Sequence, residues 1–133
     1  MSHLNNERLE FLGDSILGYV IARKLYEEFP EASEADLTLM RVDLVRGQTL
    51  ARVARKLSLG SFLVLGSGER KSGGHDRDSI LADALEALIG AIVCDNGISA
   101  AELVVSKLFE DQFDGIPLQP QKDPKTQLQE LLQ

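Results

Sequence analysis

Residues 6–17, NERLEFLGDSIL, and residues 76–92, DRDSILADALEALIGAI, carry their apolar side chains at helical rather than strand spacing. In the first, Leu9, Leu12, Ile16 and Val20 predict the inner stripe of a helix from about Asn6 to Phe29, capped by Asn5 or Asn6 and closed by Pro30. In the second, Leu81, Leu85, Leu88, Ile89 and Ile92 predict a helix from about Asp78 to Asp95. Each stripe has acids beside it. At about 100° of turn per residue, Glu7, Glu10 and Asp14 share one side of the first helix, and Asp83 and Glu86 share one side of the second. Carboxylates gathered in one cleft would repel and resist ionisation. They would call for a counterion, and a hard divalent cation with oxygen ligands is the natural one.

Outward from these stretches the pattern stays helical. Ser33-Glu34-Ala35-Asp36 reads as a capping box, after which Leu37, Met40, Leu44 and Val45 carry a helix to a bend at Gly47. A further helix spans about Gln48 to Leu57 and stops before Gly60, and another spans about Ser99 to Phe113. Between Leu65 and Asp78 the run LGSGERKSGGHDRD holds four of the eleven glycines with Arg70, Lys71 and Arg77, which predicts an exposed, flexible loop and the main basic concentration. From Pro117 onward three prolines precede Lys125-Thr126-Gln127-Leu128, and Asp123-Pro124 supplies an N-cap and first-turn proline for a helix that has only begun by Gln133.

A chain of 133 residues suits one domain able to bury roughly two-thirds of its unfolded surface. Its apolar residues are mostly Leu, Ile, Val and Ala, with no Trp, and this composition predicts an all-α fold. The net charge of -7 does not exclude a nucleic-acid partner, because acids that hold metal ions present phosphate with positive charge. The single cysteine, Cys94, excludes an intrachain disulfide and is expected to be a small buried hydrophobe. His3 and His75 lack the spacing of a zinc or di-iron site. No stretch has the roughly 18 uncharged apolar residues of a membrane span, and no signal peptide is evident, so a cytoplasmic protein without a membrane partner is expected.

NERLEFLGDSIL resembles the signature of the ribonuclease III family, and DRDSILADALEALIGAI resembles that family's second acidic helix. LGSGERKSGG and the closing KDPKTQLQELLQ are similar to the bacterial enzyme's loop and to its linker with the opening of a double-stranded-RNA-binding domain. The resemblance implies a helical, homodimeric endonuclease domain that hydrolyses double-stranded RNA with Mg2+, for which Mn2+ substitutes. It implies 5′-phosphate ends, short 3′ overhangs, and a role in processing ribosomal RNA precursors and other messenger and transfer RNAs.

Carried position by position, the resemblance implies Glu10, Asp14, Asp83 and Glu86 as metal ligands, with Asp14 and Glu86 the essential catalytic pair. Glu7 and Glu34 match secondary acids; each equally suits the positive end of its own helix. Phe11 matches a residue that inserts into the partner subunit, and its plain alternative is a core aromatic. Arg70, Lys71 and Arg77 are candidates for RNA phosphates or for simple solvation. The implied organisation is a catalytic domain over 1–115 without the family's preceding helices, a linker over 116–123, and the start of an RNA-binding domain over 124–133. The alternative to an enzyme is a non-catalytic RNA-binding or dimerisation module of the same fold. Four retained, mutually repelling carboxylates argue against it.

Overall fold

The computed structural model describes residues 3–62 and 77–116. Every regular element among them is helical: α1 (His3–Glu28), α2 (Glu34–Val45), α3 (Gly47–Lys56), a 3₁₀ turn (Leu59–Phe62), α4 (Asp78–Asn96), α5 (Ile98–Leu108) and α6 (Glu110–Asp114). The all-α expectation holds. α1 begins three residues earlier than Asn6, since nothing in His3-Leu4-Asn5 opposes a helix.

The local signals behave as their chemistry dictates. The backbone N–H of Asp36 donates to Ser33 Oγ at 3.1 Å, and the Ser33 N–H donates back to Asp36 Oδ2 at 3.5 Å, which closes the capping box. The α2–α3 bend falls at Arg46, whose extended backbone makes Gly47 the first residue of α3. Thr49 Oγ1 donates to the Asp43 carbonyl at 2.8 Å and ties that corner. At Gly97, φ is 89°, a left-handed value that only glycine adopts without strain, and this lets α4 turn directly into α5. The single helix expected over 99–113 is instead divided at Phe109. Its ring is fully buried, and its non-helical backbone turns α6 so that Phe113 reaches the same core.

That core is built from Leu17, Ile21 and Leu25 of α1, Met40 and Leu44 of α2, Leu50 and Val53 of α3, Leu81, Leu85 and Ile89 of α4, and Val105, Phe109 and Phe113. Each such side chain contributes roughly 1.5–3 kcal/mol by leaving water. The inner stripe of α1 is rotated from the expected one: Val20 is buried, but Leu9, Leu12 and Ile16 remain partly exposed. The cause is the crossing with α4, the most extensive helix contact among the described residues. It buries Gly13, which lies outside the expected stripe of Leu9, Leu12, Ile16 and Val20.

The crossing is unusually close. A Cβ added at Gly13 would overlap the Glu86 carbonyl oxygen, and one added at Gly90 would overlap the Leu9 carbonyl oxygen. Helix axes normally stand about 8–10 Å apart because side chains separate them. Here two glycines let backbone meet backbone.

Candidate active site

The α1–α4 crossing determines where the acids stand. Gly13 precedes Asp14 and lies one turn beyond Glu10; on α4, Gly90 lies one turn beyond Glu86, and Asp83 lies one turn before it. Gly13 packs on the carbonyl of Glu86 itself. Two acid pairs distant in sequence are thereby drawn into one electrostatic unit, with Glu86 half-buried and Asp83 and Asp14 more exposed.

Glu86 records that proximity. Its carboxyl is pushed up to about 8, first by burial, then by a hydrogen bond with Asp14, and then by the negative charges of Asp14, Asp83 and Glu10. Burial also raises Asp83. The Glu86 carboxyl therefore resists ionisation, and its protonated form is the one that hydrogen-bonds with Asp14. Asp14, Asp83 and Glu10 are the charges that act on Glu86; Glu7 and Glu34 are not among them. Glu7 is exposed on the first part of α1, and Glu34 is exposed in the first turn of α2, the position that suits an acid at a helix N-terminus.

The donor set suits a hard divalent cation. All four groups are carboxylates, and the like charges that push Glu86 up are ones a cation would offset. Among the described residues no three acidic, histidine or cysteine side chains converge into a ready-made metal cage. Magnesium does not need one, since it retains several waters and is held by one or two carboxylates with substrate oxygens.

Phe11, between Glu10 and Leu12, is 78% exposed, so it is not a core aromatic. Arg77 is the N-cap residue of α4, the helix that carries Asp83 and Glu86. Arg70 and Lys71 lie outside the described residues. Cys94 is exposed, contrary to the expectation of burial, because the last turns of α4 pass beyond the core. A separate groove of about 750 Å³ lies between α2, α3 and α6, lined among others by Met40, Arg46, Thr49 and Gln112 and by none of the four acids.

The sequence profile described as Ribonuclease-III-like matches residues 1–112. The chain belongs to the ribonuclease III family. Within that family it is 60% identical over 132 residues to Ribonuclease 3 of Alcanivorax borkumensis, covering 98% of this chain and 58% of that protein. It is 55% identical over 131 residues to Ribonuclease 3 of Methylococcus capsulatus, covering 98% and 57%. The chain thus spans a little over half the length of these curated relatives. Among solved structures it superposes on the nuclease domain of ribonuclease III from Campylobacter jejuni with a TM-score of 0.79 at 41% identity, over 82% of this chain and 76% of that one. That Campylobacter jejuni domain has a structurally flexible region involved in dimer formation. Dicer from Pichia stipitis superposes with a TM-score of 0.63 at 30% identity, over 83% of this chain and 51% of that one.

The residues that sequence reasoning passed over in this ribonuclease III domain are Gly13 and Gly90. A signal was available: each is a glycine in a helix interior, where it costs about 1 kcal/mol relative to alanine, and such a cost needs a packing reason.

Proposed function

We propose that residues 1–115 form the catalytic domain of a homodimeric endoribonuclease that hydrolyses double-stranded RNA with Mg2+, or Mn2+ in its place, leaving 5′ phosphates and short 3′ overhangs. The observation that carries this reading is the α1–α4 crossing. It sets Glu86 against Asp14, Asp83 and Glu10, whose negative charges push its carboxyl up. A packed helical domain has no stabilising use for that repulsion, whereas a site that must attract a cation and then phosphate does.

Glu10, Asp14, Asp83 and Glu86 are the residues that would hold the metal. A divalent ion held there would lower the pKa of water and offset charge on phosphoryl oxygens and the leaving oxygen. The chain's own part is to orient and to keep the site charged. Asp14 and Glu86 form the central pair, and Glu86 would hold the metal as a carboxylate, its proton passing to solvent. Glu10 and Asp83 extend the negative field from the neighbouring turns of α1 and α4. Glu7 and Glu34 serve at the rim of the RNA path, and Arg77, with Arg70 and Lys71, meets RNA phosphates.

Phe11 is the proposed dimer contact: a large apolar side chain left 78% exposed one residue from Glu10 would gain by burial in a second copy. A two-fold dimer places two cleavage sites on opposite strands, which accounts for staggered ends. The cellular role that goes with this activity is processing of ribosomal RNA precursors and other RNAs in the cytoplasm. No described helix is long and apolar enough to cross a membrane.

The deciding experiment is cleavage of a long RNA duplex with and without Mg2+. Glu86→Gln and Asp14→Asn should each abolish cleavage while leaving the helical circular-dichroism spectrum unchanged. Full activity in Glu86→Gln would refute the assignment and favour a non-catalytic module.

A further inference from the structure

The four acids belong to two helices, so the gap between the pairs depends on how closely those helices approach. Two facts determine that approach. Gly13 receives the carbonyl oxygen of Glu86, one of the acids, and Gly90 receives the carbonyl oxygen of Leu9, whose peptide unit continues into Glu10, another of them. A Cβ built at Gly13 would also lie 3.0 Å from the Gly90 backbone nitrogen, so the two notches adjoin. Each helix is gripped by its backbone at a residue that bears, or adjoins, an acid. Side-chain packing alone would leave such a distance adjustable, because long side chains change rotamer; a backbone-on-backbone contact has no such freedom.

From this we infer that Gly90, with Gly13, is a positioning residue: the paired notches fix how far Glu10 and Asp14 stand from Asp83 and Glu86, and with it the affinity of these acids for a divalent cation. The inference rests on the proposed metal role of these acids. A methyl group at Gly90 meets the Leu9 carbonyl, which is backbone and cannot swing aside, so α1 and α4 must part near the site. Gly18, also on α1, provides the contrast, since a Cβ there meets nothing within 4 Å.

The test measures Mn2+ binding to the 133-residue chain by electron paramagnetic resonance of the unbound ion, a readout independent of cleavage. Gly90→Ala should keep its helical spectrum and bind Mn2+ about 10–100-fold more weakly, the usual effect of disturbing the groups that orient metal ligands. Gly18→Ala should bind as the unaltered protein does. Leu17→Ala, which opens a cavity in the same helix away from the notches, should lower thermal stability without the loss of affinity. Wild-type affinity in folded Gly90→Ala would overturn the inference, as would an equal loss in Leu17→Ala. If Gly90→Ala unfolds in buffer, the measurement is repeated in trimethylamine N-oxide, which favours compact states. A variant still unfolded there also counts against the inference, since the notch would then hold the fold rather than the site. Mn2+ binding that Glu86→Gln leaves untouched would instead overturn the reading of the acids on which the inference stands.

Discussion

Replacing Glu86 by glutamine should stabilise the metal-free protein, and by an amount that depends on pH. Glutamine retains the shape and can still donate a hydrogen bond to Asp14, but it has no charge to lose. In the folded protein the Glu86 carboxyl is pushed from 4.5 up to about 8, while in the unfolded chain it titrates near its ordinary value. The folded state therefore binds the proton more tightly. Stability from this group is fully present below about pH 4.5 and is lost as pH rises to about 8. A completely shielded site would lose about 5 kcal/mol across that window. Glu86 is only half-buried, and screening by water reduces the figure to about 2 kcal/mol.

The assay is thermal or urea unfolding of both proteins in chelator at pH 4.5, 6, 7.5 and 9. At pH 4.5 the two should be nearly equal. At pH 9 Glu86→Gln should be more stable by about 2 kcal/mol, or about 6–10 °C in Tm for a chain of this size. Saturating Mg2+ should then reverse the order at neutral pH, because a cation that binds only the folded protein adds stability that the variant forgoes. A stability difference that stays flat from pH 4.5 to 9, or a variant that is less stable throughout in chelator, would refute the account of Glu86 as a carboxyl crowded by like charges.

Three further outcomes follow from particular contacts. Phe109→Ala removes a fully buried ring at the α5–α6 turn and should cost about 3–5 kcal/mol in urea denaturation. Ser33→Ala removes the hydroxyl half of the capping box and should cost about 1 kcal/mol without affecting duplex cleavage. Phe11→Ala should leave the melting temperature of the isolated subunit almost unchanged, because the ring is exposed, yet shift sedimentation from dimer toward monomer; an unchanged dimer would remove Phe11 from the proposed interface.

Much of the helical plan was legible from short-range chemistry. The Ser33–Asp36 box and the limits of α4 each depend on residues within a turn or two of one another and stand where the pattern places them, and the bend expected at Gly47 falls one residue earlier, at Arg46. What was not legible depends on packing partners. The inner stripe of α1 is rotated because α4 presses on Gly13. The helix after Gly97 is divided because Phe109 must fill the core. Cys94 is exposed although the residues around it are apolar, because the end of α4 extends past the core.

The same division runs through the candidate site. The sequence by itself determined that the chain is helical and that two of its helices bear acids at one-turn spacing, because periodicity and side-chain charge are local properties. Through its two acidic motifs it also indicated the ribonuclease III family. Only the tertiary structure decided that the Glu86 carboxyl is pushed up by burial and by Asp14, Asp83 and Glu10, and that Glu7 and Glu34 stand outside the charges acting on it. The physical reason is that a carboxyl's proton affinity depends on its distance from other charges and from water. Here those distances depend on two glycines that let α1 and α4 meet backbone to backbone.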